Sequence, residues 1–296
     1  MTLTAAINLE ESDRTAIPHL SEYFGMWSML ERHFQGYWQF AQQLNISMHM
    51  QTQQAVAARA TGAAGESLTI QDGIAVIGIA GSMMKHQSSF GASSSTALAR
   101  RKIRAAVRNP GVAGIFMVWE TPGGTVAGTH ELAEEIAAAG KHKPVWSFAD
   151  DLCCSAGYWA ACQAHKIFAN PTASVGSIGV YMVVRDFSGA AEKAGIKVHV
   201  ISSGGLKGAG TPGIVIPPEF LAEQQGLVNT FNETFVAAVA SGRKLSIERA
   251  RKLADGRVYL ADAAKKVGLI DGVQSLESTF DQFRLHVQKQ RTSEGG

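Results

Sequence analysis

The sequence is poor in cysteine, nearly balanced in charge and free of long apolar runs. Its three cysteines, Cys153, Cys154 and Cys162, are clustered and form no CxxC pair. That excludes a disulfide framework and a zinc knuckle, and fits small buried residues in a reducing compartment. A net charge of +2 gives no basis for a nucleic-acid surface. No stretch reaches the roughly 18–20 apolar residues needed to span a bilayer. The first twenty residues lack a basic start followed by an apolar run. The chain is therefore expected to be soluble, intracellular (cytoplasmic), without signal peptide or membrane span. GxGxxG and the Walker loop are missing, so nucleotide binding has no support and no cofactor is expected. "HELAE" at 130–134 has one histidine where HExxH needs two, and no metal site is expected. "CCSAG" at 153–157 lacks the first glycine of GxSxG, against an α/β-hydrolase elbow.

What is present divides the 296 residues into three parts. Residues 1–67 are expected to form a helical N-terminal arm and linker. Met26, Met29, Leu30, Phe34 and Trp38 recur at helical spacing, and "AVAARATGAAGES" follows as a small-residue linker. Residues 68–275 alternate strands and helices, the pattern of an α/β domain with a largely parallel sheet. A hairpin is expected at Asp72-Gly73, a Ser-capped helix ending at Asn109-Pro110, and a strand at "KVHVISSG" (197–204). "LSIERARKLADGRVYLADAAKKVGLIDGV" reads as two short helices around a Gly-Arg turn. Residues 276–296 are expected to be a C-terminal tail, its polar end disordered. The basic run Arg100, Arg101, Lys102, Arg104, Arg108 lies on one side of a helix, as a solvated face or a partner contact.

Ser155 follows a strand and begins a helix, where unpaired amides and the positive dipole end favour an oxyanion. Ala156 and Gly157 leave room for a substrate backbone. Gly123 and Gly124, in "TPGG", can turn their amides inward and add a second donor. A serine nucleophile needs a base. His130, His165 and His199 lie in no motif. Lys207, in "SSGGLKGAGTPG", has no acidic residue near it between Glu192 and Glu219. A lysine acts as base when desolvation lowers its pKa. Lys85 is a second candidate base, and Cys154 a second candidate nucleophile.

"ETPGGTV", "SAGYWAA", "NPTASVGSIGV" and "GLKGAG", in this order and spacing, resemble peptidase family S49 over about residues 68–275. That family holds the signal peptide peptidases and the phage capsid-maturation proteases. The resemblance implies a ClpP/crotonase-like fold and a Ser-Lys dyad. Ser155 would be the nucleophile, Lys207 the general base and Ser177 the serine that orients it. Gly124 and the Ser155 amide would form the oxyanion hole. It implies a ring-shaped homo-oligomer with sites shared between subunits, polypeptide substrates, and capsid or scaffold proteins as partners. A signal-peptide-peptidase-like enzyme, a non-catalytic assembly scaffold and a crotonase-like acyl-CoA enzyme are the alternatives.

Overall fold

A computed structural model of the chain describes residues 26–31, 33–36, 68–86 and 93–294. Of the expected arm and linker, residues 1–25, 32 and 37–67 lie outside the described residues.

The first described element is strand β1 (Trp27–Met29), followed by a helical turn over residues 31 and 33–36. β2 (Thr69–Gln71) and β3 (Ile74–Ala80) form the expected hairpin. Asp72 and Gly73 both take positive φ, 52° and 75°, as a tight two-residue hairpin turn requires. β4 (Ser82–Met84) and β5 (Ser93–Ser95) lead into helix α1 (Thr96–Arg108). Ser95 caps α1, accepting from the Leu98 amide at 3.2 Å. Then come β6 (Gly114–Thr121), β7 (Gly123–Thr125), α2 (Thr129–Gly140), β8 (Val145–Cys154) and α3 (Ala156–Ala161). β9 (Lys166–Ala169), β10 (Ser174–Gly176) and α4 (Ser188–Lys193) follow. The C-terminal part is α5 (Pro218–Arg243), α6 (Ile247–Leu253), β11 (Val258–Leu260), α7 (Ala261–Val267), β12 (Gly272–Val273) and α8 (Leu276–Glu294).

The main sheet runs β11-β10-β8-β6-β3-β2, with β9 and β12 beside the first half of β8. Its centre, β10-β8-β6-β3, is parallel, as alternating strands and helices predict. β8 pairs β9 through Trp146–Ala149 and β10 through Leu152–Cys154, and an irregularity in the β6–β8 register marks the change of partner. A second sheet, β1-β7-β4-β5, stands at the ends of β3 and β6. On one face of the main sheet, Ile103 of α1, Ile136 of α2 and Trp159 of α3 pack on Ile77, Ile115 and Met117. On the other face, Phe283 and Val287 of α8 pack on Ile74, Phe116, Trp146 and Phe148.

Four expectations are corrected. Residues 27–29 are strand instead of helix, because β7 offers them an open edge. The 197–204 segment forms no strand, since no neighbouring strand reaches it among the described residues. A strand, β11, stands between the two helices expected around the Gly-Arg turn. The final segment is helical through Glu294 because its apolar face covers the sheet, so only its polar side reads as tail. The basic face of α1 is partly intramolecular: Arg104 and Arg100 reach Glu135 on α2 at 2.6 and 3.6 Å.

Candidate active site

Ser155 stands at the corner between β8 and α3. β8 pulls the chain into the sheet, and the Ser155 amide continues the β8–β10 ladder by donating to the Gly176 carbonyl at 2.7 Å. The Ser155 carbonyl already accepts the first α3 hydrogen bond, from Trp159 at 2.9 Å. To serve both, Ser155 takes φ 54° and ψ −119°. A non-glycine residue with positive φ is uncommon and holds only where packing over-determines it. The result is a sharp strand-to-helix corner at Ser155, built without the leading glycine of GxSxG.

Around Ser155 three segments converge. The first is β7. Gly123 has φ 103°, and a Cβ there would lie 2.9 Å from that of Ser155 and 2.3 Å from the Ser28 carbonyl oxygen. Only glycine permits this approach. The Gly123 amide donates to Thr121 Oγ1 at 3.1 Å, so Gly124 carries the β7 amide that faces the cleft. The second is the start of α3. The Ser155 amide, expected as an oxyanion donor, is held by Gly176. Ala156, the first residue of α3, has an amide without an intrahelical acceptor. The third is the segment after β10. Ser177 is buried, has φ 50°, and donates its amide to the Arg257 carbonyl at 2.8 Å. Its hydroxyl makes no hydrogen bond among the described residues.

The strand register puts Ser177 beside Ser155 in the ladder. Lys207 is not brought there by the chain's own contacts. It lies exposed in the glycine loop, its amide donating to Gly204 at 3.1 Å, and its ammonium meets no partner among the described residues. Lys85 is exposed at the end of β4, its carbonyl accepting from Ser95 Oγ at 2.9 Å. The histidines have other duties: His130 pairs with Glu134 at 3.3 Å, His165 accepts from the Val145 amide at 3.1 Å, and His199 is exposed. Cys153, Cys154 and Cys162 are buried and form no disulfide among the described residues. Burial pushes the Cys153 thiol well up and the Cys162 thiol up to about 12. Cys154 Sγ is turned to the Ser174 carbonyl at 3.5 Å.

One participant was not expected. Ser28 of β1 is fully buried, and its Oγ lies 2.7 Å from Ser155 Oγ and 3.1 Å from the Gly179 carbonyl. The alternation of Trp27, Ser28 and Met29 is a strand signal, but over three residues it is outweighed by helical spacing around it.

Peptidase family S49 matches residues 137–290, from the end of α2 into α8. The chain belongs to peptidase family S49. A putative protease of Methanocaldococcus jannaschii is 37% identical over 60% of this chain and 57% of its own. The capsid assembly protease C of Escherichia phage lambda is 31% identical over 77% of this chain and 53% of its own. A putative signal peptide peptidase of Enterococcus faecium is 31% identical over 58% of this chain and 51% of its own. The chain thus spans about half the length of these curated relatives. A ClpP protease catalytic domain from Plasmodium falciparum aligns with 68% of this chain and 85% of its own, at TM-score 0.43 and 11% identity. In this S49 member, no described helix is long and apolar enough to cross a membrane.

Proposed function

We propose that this S49 chain is a serine endopeptidase with Ser155 as nucleophile and Lys207 as general base. The observation that carries it is the strained Ser155 corner, aimed at the glycine strand of β7. Lys207 takes the proton of Ser155 Oγ as that oxygen attacks a peptide carbonyl. The amides of Gly124 and Ala156 hold the tetrahedral oxyanion. The lysine passes its proton to the leaving amine, and water then releases the acyl group. Ser177, which follows β10 beside Ser155, orients the lysine.

Lys207 reaches Ser155 from a second copy of the chain on this reading. Its loop supports that: Ile201, fully exposed, together with Val200, Leu206 and Val215, forms apolar surface around the lysine that a neighbouring subunit would cover. A ring-shaped homo-oligomer with shared sites follows. The substrates we propose are capsid or scaffold proteins of a phage or prophage. The phage capsid assembly protease is 31% identical over 77% of this chain, against 25% over the same share for a protease 4 of Haemophilus influenzae. The apolar, small-residue surroundings of Ser155 favour a small or apolar residue before the scissile bond.

Digestion of casein tests the chemistry. Wild type should cleave, Ser155→Ala should lose at least about 10³-fold and Lys207→Ala at least about 10²-fold in rate. Unchanged cleavage by Ser155→Ala would remove the serine mechanism. In a peptide library, equal cleavage after Lys or Asp would refute the proposed specificity. Incubation with scaffolding and capsid proteins encoded beside the gene tests the role, and cleavage of signal-peptide-like peptides alone would favour the other branch of the family.

A further inference from the structure

We propose that residues 26–30 are a built-in inhibitor: they occupy the slot in which the substrate strand must lie, and must leave before Ser155 can act. The inference rests on Ser155 being the nucleophile.

β1 is held on both edges by backbone. On one side it pairs antiparallel with β7, Trp27 opposite Thr125, Ser28 opposite Gly124 and Met29 opposite Gly123. The Leu30 amide donates to the Pro122 carbonyl at 2.9 Å and the Val126 amide to the Met26 carbonyl at 3.1 Å. On the other side Trp27 and Tyr181 exchange amide–carbonyl bonds, both 3.0 Å. An extended peptide seated between two backbone edges is how a protease cleft receives a substrate strand.

The register then decides what this strand does. In an antiparallel ladder, hydrogen-bonded pairs alternate with unbonded ones. Leu30–Pro122 and Met26–Val126 are bonded, so Ser28 and Gly124, midway between them, are bonded as well. The Gly124 amide, one of the two oxyanion donors, therefore faces the Ser28 carbonyl. The Ser28 and Ser155 hydroxyls share a hydrogen bond of 2.7 Å, and both lie within reach of the Gly179 carbonyl, at 3.1 and 3.5 Å. The Ser155 hydroxyl is thus engaged with the arm at the position a base and a substrate carbonyl would have to reach.

The arm is anchored beyond the slot. Trp27 and Phe34 meet edge to face at 5.2 Å, and Phe34 meets Tyr181 at 5.5 Å. With the arm seated, Ser155 is 1% exposed and has no room for a second chain.

The test is phosphonylation of Ser155 in the full chain by a fluorophosphonate, which forms the Oγ–P bond and expels fluoride, followed by intact mass. Wild type should label slowly. The double variant Trp27→Ala/Phe34→Ala should label at least about tenfold faster, as release of a closed state requires. A synthetic peptide of residues 24–34 should slow the variant again. Equal rates for wild type and a variant with the same melting temperature would overturn the inference. A second measurement uses wild type alone: once Ser155 is phosphonylated, the Trp27 and Leu30 amides should lose protection from hydrogen exchange. Retained protection would overturn the inference while leaving Ser155 as nucleophile. Labelling of no chain, the variant included, would overturn the nucleophile assignment and the inference with it.

Discussion

At the scale of residues, the site depends on how few groups can respond. Ser155 is forced into positive φ by the last bond of a strand and the first bond of a helix, and this points its hydroxyl out of both. The three cysteines beside it are closed off. Two of their thiols are shifted upward by burial, so the thiolate that would react is scarce at neutral pH. Native protein at pH 8 should take up no iodoacetamide at Cys153, Cys154 or Cys162, and unfolded protein should take up three equivalents. Rapid alkylation of Cys154 in the native chain would reopen it as the nucleophile. This much was legible beforehand: Ser155, its helix start and the glycine turn stand within short motifs. The refinements were not. That Gly176 holds the Ser155 amide, leaving Ala156 as the free donor, depends on a strand pairing across more than twenty residues.

At the scale of elements, β7 and α8 carry the sharpest expectations. β7 lies against β4 so closely that a Cβ on Gly124 would sit 1.7 Å from the Met83 carbonyl oxygen. Backbone must move to admit it. Gly124→Ala should destabilise by about 1–3 kcal/mol or more and abolish cleavage, read by thermal melting and casein digestion. A melting temperature equal to wild type would contradict this packing. α8 is part of the fold. Phe283 is fully buried against Phe116 and Trp146, with ring centroids 5.7 and 5.1 Å away. Phe283→Ala should cost about 3–5 kcal/mol, seen as a lower denaturation midpoint. An exposed tail would tolerate it. The polar composition of the last residues hid this helix, because one apolar stripe is enough to dock it.

At the scale of the whole molecule, the described chain brings together the proposed nucleophile, the proposed oxyanion donors and the proposed orienting serine, with the proposed base on an exposed loop. Completion by a neighbour has a distinct signature. Equal mixing of Ser155→Ala and Lys207→Ala chains, unfolded and reassembled together, should restore about a quarter of the wild-type sites if each site takes one residue from each of two protomers. No recovery, with both variants assembled, would place the dyad within one chain or remove Lys207 from it.

The sequence by itself determined the α/β alternation, the hairpin, the capped helix and the residues of the S49 motifs, because each depends on local periodicity, turn residues or short spacing. Tertiary structure alone decided the rest. Residues 27–29 are strand because β7 and Tyr181 supply hydrogen-bonding edges that the local pattern cannot encode. Ser28 meets Ser155 across a separation of 127 residues. The segment 197–204 before Lys207 is no strand because no described strand pairs with it, and a strand exists only where another backbone satisfies its amides and carbonyls.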